Sequence, residues 1–327
     1  MSRAAPEPLI AVVGPTATGK SELAVVLAQV LGGEVIGADS RQVYQGMAIG
    51  TAQPGLELQA AVPHHLVGFL PPDAPFGLAI YLDSAREAIA GIWARGRVPI
   101  LAGGTGQYLA ALIEGWNVPR VPPHAAFRAA LAAQAERDGR EALHQRLATL
   151  DPDAAAGIHP HNLRRVIRAL EVIEHSGRPF SVQRGSGGQE RATVLGLELP
   201  RELLYERIDR RVEAMYAAGL LDEVRQLERD GFGSTLPSMA GIGYPEAWAV
   251  SRGEVSAAEA IRRTQLATHR LARQQLTWFR RAALGIHWLR ADRADLREAA
   301  LAHIRRRRSA VEPTEETDAL HEDARDG

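Results

Sequence analysis

Residues 9–31 constrain the fold more than any other stretch of the chain. Leu9-Ile10-Ala11-Val12-Val13 is a short apolar run, the segment Gly14-Pro15-Thr16-Ala17-Thr18-Gly19-Lys20-Ser21 follows it, and Ser21 to Leu31 repeats apolar residues at helical spacing. Those eight central residues match a phosphate-binding loop in its required setting between a buried strand and a helix. Backbone N–H groups of the loop and the helix N-terminus would hold a phosphate. The Lys20 ammonium would reach its outer oxygens, and the Ser21 hydroxyl would ligate magnesium. Of 38 basic residues, Lys20 is the only lysine. A compact ammonium fits beneath a curled backbone where a planar guanidinium does not. A nucleoside triphosphate is the first ligand such a loop brings to mind.

At 327 residues the chain exceeds one ordinary hydrophobic core. Strands are expected at Leu9 to Val13, Glu34 to Ala38 and Val98 to Ala102, with helices at Ser21 to Leu31 and Leu78 to Ala94, which implies a doubly wound parallel α/β sheet. From about Trp116 to Arg191 no strand is evident. Ala125 to Gln134, Arg140 to Leu150 and Leu163 to Glu174 read as helices, and Ser186-Gly187-Gly188 as a loop. Thr193 to Leu199 alternates like a returning strand, helices follow at about Arg201 to Arg229 and Ala257 to Ala283, and Ile286 to Leu289 reads as a last strand. The expected organisation is a core of residues 1–115 and 193–308, a helical insertion at 116–192 and a tail at 309–327. Glu312 to Gly327 holds seven acids against one arginine and reads as disordered.

The absence of cysteine excludes disulfides, thiolate zinc sites and cysteine nucleophiles. No apolar stretch approaches the roughly 20 residues of a membrane span, so a cytoplasmic monomer with no membrane association is expected. The formal net charge of −1 averages the acidic tail with Ile261 to Ala291, which carries seven arginines and no Asp or Glu.

Ligands of open α/β sheets bind beyond the carboxyl ends of the strands. Asp39 stands at such an end, where its carboxylate can ligate magnesium through water, accept a substrate proton or cap a helix. Gly103-Gly104-Thr105-Gly106 follows another strand and offers a second close backbone approach. ATP-hydrolysing proteins of this loop type carry a magnesium-holding Asp at such a strand end, which Gly-Gly-Thr lacks. His64 and His65 are adjacent, point apart and have no third ligand, so hydrogen bonding or packing is expected of them. Arg164, Arg165 and Arg168 cluster on one side of a helix. At 100° per residue Arg262, Arg263, Arg270, Arg273, Arg280 and Arg281 occupy an arc of about 100° on another, opposite an apolar side, and read as a polyanion-binding face. Arg207, Arg210 and Arg211 could serve a diphosphate.

In order and spacing these motifs resemble the tRNA dimethylallyltransferases, or tRNA isopentenyl transferases, over about Leu9 to Leu289. The residues that carry it are the phosphate loop, Asp39-Ser40-Arg41-Gln42-Val43-Tyr44, Ile49-Gly50-Thr51-Ala52, Gly103-Gly104-Thr105-Gly106, Arg168-Ala169-Leu170-Glu171, Gly243-Tyr244 and Gln275-Leu276-Thr277-Trp278-Phe279-Arg280. The resemblance implies transfer of a dimethylallyl group from its diphosphate to the exocyclic N6 of adenosine 37 in the tRNA anticodon loop. It gives Lys20, Ser21 and Mg2+ the diphosphate, with Thr105 and Arg211 assisting, and makes Asp39 the residue that orients the target amine and takes its proton. The helical insertion becomes a mobile tRNA-clasping domain. Contacts to tRNA fall to Asp39, Ser40, Arg41, Gln42, Thr105 and Arg128. Further contacts fall to Arg164, Arg165, Val166, Ile167 and Arg168, and to the loop Ala240, Gly241, Ile242, Gly243, Tyr244 and Pro245.

The chain departs from the family pattern at three places, each losing a positive charge: Gln53 replaces a frequent lysine, Pro245 a lysine or arginine, and Gln274 an arginine. Two rival enzymes share the phosphate-loop chemistry, an adenylate isopentenyltransferase acting on free AMP, ADP or ATP and a small-molecule kinase. A third, non-enzymatic reading is an RNA-binding switch.

Overall fold

The computed structural model describes residues 9–182 and 191–309. The loop expected at Ser186-Gly187-Gly188 and the acidic tail lie outside the described residues. The chain divides into two compact units, one of residues 1–75, 85–109 and 191–327 and one of residues 76–84 and 110–190.

The first unit is built on β1 (Leu9–Val13), α1 (Lys20–Leu31), β2 (Gly33–Gly37), the short helices α2 (Ala48–Thr51) and α3 (Leu56–Ala61), and β3 (His64–His65). Next come α4 (Leu78–Ala94), β4 (Val98–Gly103) and α5 (Gly106–Ile113), the start of α4 and the end of α5 being counted with the second unit. Six strands form one wholly parallel sheet in the order β3-β2-β4-β1-β5-β6, with β5 at Ala192–Glu198 and β6 at His287–Arg290. Strands buried on both faces read as unbroken apolar runs, and every residue of β1 is fully enclosed. Leu23, Ala24, Leu27 and Ala28 of α1 recur at helical spacing and pack on Ile10, Val12, Val35 and Ile100 of the sheet. The α/β doubly wound expectation holds.

Register decides where the strand ends meet. Val13 pairs with Gly103 and Gly37 with Ala102, so the chain leaves β1, β2 and β4 at one level. Ala38 N donates to Ala102 O at 2.9 Å and Thr105 N to Ala38 O at 3.1 Å, tying the β2 and β4 exits together.

The second unit is helical among the described residues. It holds α6 (Ala125–Asp138), α7 (Arg140–Leu150), α8 (Pro152–Ala156) and α9 (Leu163–Ser176). Their core is Leu131, Leu143, Leu147, Ile158, Val166 and Leu170. Asn162 caps α9 by accepting from Arg165 N, and Gly177 ends it in the left-handed conformation.

After β5 the chain returns to the first unit with α10 (Arg201–Ala217), α11 (Leu220–Arg229), α12 (Tyr244–Ser251), α13 (Ala257–Arg281) and, after β6, α14 (Leu296–Ser309). The helical stretch expected from Arg201 to Arg229 is broken in two. Gly219, at φ 100, turns the chain where a side chain would be strained. The histidine pair is hydrogen-bonded: His65 Nε2 lies 2.7 Å from Glu34 Oε2, and His64 Nδ1 2.9 Å from Val62 O. Arg95 also donates twice to the buried Glu34, holding its carboxyl down to about 2.

Candidate active site

The loop between β1 and α1 curls tightly. Ala17 adopts φ 63 and Gly19 φ 85, and the buried Thr18 hydroxyl donates to Pro15 O at 2.8 Å. A non-glycine residue in the left-handed region is uncommon and is held there by its surroundings. Lys20 Nζ donates to the same Pro15 O at 2.6 Å. Burial first, and the neighbouring Arg211 charge second, lower the Lys20 ammonium to about 8. Arg211, on α10, donates to Thr16 Oγ1 at 3.0 Å and is itself lowered by burial.

This loop forms one wall of a cleft of about 440 Å³. Lys20, Arg207 and Arg211 line it with Glu22 and Asp39, so three cations face two carboxylates. Arg207 and Arg211 are four residues apart and share a face of α10, whereas Arg210 points elsewhere and pairs with Glu206.

Asp39 reaches the cleft from the β2 exit, and its Oδ1 accepts from Arg41 N at 2.8 Å. Ser40 N donates to Thr105 Oγ1 at 3.1 Å, which joins the β2 exit to the Gly103-Gly104-Thr105 turn. Arg41 donates through Nη1 to Pro237 O at 2.6 Å and Ser238 O at 3.3 Å. It therefore adjoins the turn leading into Ala240 to Pro245. In that loop Ala240 and Pro245 are exposed and Ile242 half-buried; Gly241, Gly243 and Tyr244 are buried. Pro245 sits in the first turn of α12, where its missing N–H costs nothing.

Thr51, Ala52, Gln53, Pro54 and Leu58 also line the cleft; Thr51 and Ala52 entered the sequence reading as part of a motif and Gln53 as a departure from the family pattern, whereas Pro54 and Leu58 were not singled out. This stretch is latched by two amides. Gln42 Nε2 donates to Thr51 O and Ala52 O at 3.1 and 2.7 Å, and Gln53 Nε2 donates to Gln42 O and Tyr44 O at 2.9 and 2.7 Å. Gln53 thus has a structural task in place of the charge it lacks. Met47 offers α2 no side-chain cap; Glu223 of α11 supplies one. Its carboxylate accepts from Ile49 N at 2.7 Å, Gly50 N at 3.0 Å and the Tyr244 hydroxyl at 2.7 Å. A Cβ on Gly50 would lie 2.6 Å from the Tyr244 ring, which explains the glycine.

In the helical unit Glu171 is fully buried and accepts from Arg128 Nε and Nη2, each at 2.8 Å, Arg168 Nη1 at 2.6 Å and His124 N at 2.7 Å. Burial alone would raise its carboxyl, but these donors, Arg128 foremost, hold it at about 2. Arg128 and Arg168 therefore point into an ion pair, while Arg164 is exposed and Arg165 half-buried. Val166 and Ile167 put their side chains into the core of the unit. Arg128, Leu163, Arg164, Ile167 and Arg168 line a second cavity, of about 620 Å³.

On α13 the expected division is present, with Ala272 and Phe279 buried and all six arginines exposed. Its charge is partly cancelled from outside the acid-free window. Glu259 takes Arg262 and Arg263, Glu198 takes Arg280, and Arg273 donates to the Tyr205 hydroxyl at 2.9 Å. Arg270 and Arg281 make no ion pair among the described residues. Gln274 is exposed on the same helix.

The model of the family described as IPP transferase matches residues 42–282, and that described as Isopentenyl transferase matches residues 8–61. The tRNA dimethylallyltransferase of Roseiflexus sp. (strain RS-1) is 53% identical over 299 residues, 91% of this chain and 98% of the relative. That of Herpetosiphon aurantiacus is 50% identical over 279 residues, covering 85% and 89%. Among solved structures, the tRNA isopentenylpyrophosphate transferase of Bacillus halodurans is 39% identical with a TM-score of 0.67, covering 93% of this chain and 99% of that one. A eukaryotic dimethylallyltransferase acting on tRNA is 26% identical with a TM-score of 0.78, covering 94% and 81%.

Proposed function

The chain belongs to the IPP transferase family, and from that membership we propose that it transfers a dimethylallyl group from dimethylallyl diphosphate to the exocyclic N6 of adenosine 37 in tRNA. One observation carries the reading: a phosphate loop, two further cations and the Asp39 carboxylate line a single cleft, beside a β4 exit of Gly-Gly-Thr that lacks the ATPase aspartate.

In this reading the diphosphate lies against Lys20, Arg207 and Arg211. Fixed cations stabilise the charge that grows on it as its C–O bond breaks. Thr105 Oγ1 already accepts from Ser40 N, which leaves its own O–H to donate to the diphosphate. Asp39 orients the exocyclic amine, a weak nucleophile, and takes its proton as the N–C bond forms. The Ser21 hydroxyl is an oxygen donor suited to magnesium, which would add positive charge at the diphosphate. No group of three His, Cys, Asp or Glu among the described residues could hold an ion alone, so the substrate's own oxygens would complete its coordination. Base 37 must leave the anticodon stack to be reached, and exposed arginines such as Arg164 supply the sequence-independent attraction to the RNA backbone.

The test is incubation with magnesium, radiolabelled dimethylallyl diphosphate and, separately, unmodified tRNA, AMP or no acceptor. Label on tRNA alone is expected. Label on AMP would establish the nucleotide-alkylating rival, and transfer to neither would sink the reading.

A further inference from the structure

Gln275, on α13, lines the cleft and holds both sides of it. Its Oε1 accepts from Thr16 N at 2.9 Å, and its Nε2 donates to Gly104 O at 3.1 Å. The two contacts bridge the phosphate loop, which follows β1, and the Gly-Gly-Thr turn, which follows β4. On one side the chain of hydrogen bonds continues through Thr16 Oγ1 to Arg211; on the other it passes along Gly104-Thr105 to Ser40 N, beside Asp39. Gln275 is therefore the link between the groups assigned to the departing diphosphate and the group assigned to the amine.

The glycines of this turn fit the same role. The sequence offers them as room for a ligand, but protein fills that room. A Cβ on Gly104 would lie 2.3 Å from Gln275 Nε2, and one on Gly106 2.1 Å from the Trp278 ring. Helix α13 is pressed onto the turn, and the glycines admit it.

We propose that Gln275 is a positioning residue that sets the separation between the donor cradle and the acceptor-side turn, so that bond breaking and bond making are aligned. This rests on the transferase reading of the cleft. Its signature follows from the arrangement. Each half of the cleft keeps its own contacts when the strut is removed, so substrates still bind. Alignment is lost, and misplacement of about 1 Å costs on the order of 10²-fold in rate.

The experiment is a rapid-quench single-turnover measurement with dimethylallyl diphosphate and unmodified tRNA, on the unaltered protein and on Gln275→Leu, Gln275→Glu and Gln275→Asn. Glutamate keeps the bond from Thr16 N but cannot donate to Gly104 O; asparagine is one methylene too short to span both. The expected result is a single-turnover rate reduced about 30- to 100-fold in all three, with the KM of each substrate within about threefold. A melting temperature measured on each variant separates misfolding from misalignment. An unchanged single-turnover rate, or a loss carried by KM alone, overturns the strut. A variant that only melts earlier, with the rate of its folded fraction intact, also overturns it. Failure of the unaltered protein to label tRNA overturns the transferase reading itself.

Discussion

The two units hold their polar groups in opposite ways. In the sheet unit local latches are joined by contacts that span the sequence: Gln275 reaches Thr16 across 259 residues, Arg211 reaches Thr16 across 195 and Glu223 reaches Gly50 across 173. In the helical unit the central ion pairs join Glu171 to Arg168, three residues away, and to Arg128, 43 away. The cleft is complete only when nearly the whole sheet unit has folded, so its geometry is globally determined. The helical unit is wired within two helices, and its arginines are arranged by an acid they partly neutralise. In the transferase reading proposed above, chemistry that tolerates little misplacement falls to the globally fixed unit, and RNA attraction, which tolerates more, to the local one.

Asp39→Ala gives the largest expected effect and breaks the comparison most directly. Turnover should fall about 10²- to 10⁴-fold, the usual contribution of a positioned base, while tRNA affinity measured by filter binding stays within a few fold. A comparable loss of turnover from a folded helical-unit variant would mean that chemistry is shared between the units.

Glu171→Ala should act on stability instead. Its two arginine partners are partly exposed and can turn to water, so the loss should fall below the about 3–5 kcal/mol of a fully buried pair; amide exchange should rise across α6 and α9 while donor KM is unchanged. The unaltered protein reports the Glu171 contribution by titration, together with that of Glu34 in the sheet unit. Glu171 and Glu34 are both held at about 2 against an ordinary 4.5. Because their folded values are depressed, the stability they add is complete above pH 4.5 and is lost as pH falls towards 2. Circular dichroism against pH should show that loss in the unaltered protein, with the Glu171 part missing from Glu171→Ala.

Arg164→Ala is the mildest. Loss of one exposed phosphate contact should weaken tRNA binding several fold and lower the slope of log affinity against log salt by about 0.7–0.9. Single-turnover rate at saturating tRNA should not change.

Legibility followed periodicity. Helices α4 and α7 and strand β1 fall where the apolar spacing placed them, because each buries a regular face. The two-residue β3 has no period to read, and α12 opens on Gly243-Tyr244-Pro245, which resembles a turn. Lys20 and Asp39 in the cleft, and Thr105 on the turn beside it, stood out because strand ends mark them. Glu223 and Gln275 did not stand out as braces, since no local pattern reveals a side chain that caps or bridges segments 170 or more residues away. The partial neutralisation of the α13 face was missed for a similar reason, with Glu198 on a strand and Glu259 just outside the acid-free window.

Ala17 carries a consequence for kinetics. A loop that holds an alanine at φ 63, fixed by the bond from the buried Thr18 hydroxyl to Pro15 O, meets its conformational cost during folding. Nothing remains to be wound around the arriving diphosphate. Donor capture should then be a single bimolecular step, its observed rate rising linearly with donor concentration and responding to ionic strength through the cationic lining, with no plateau from a slow rearrangement of the loop.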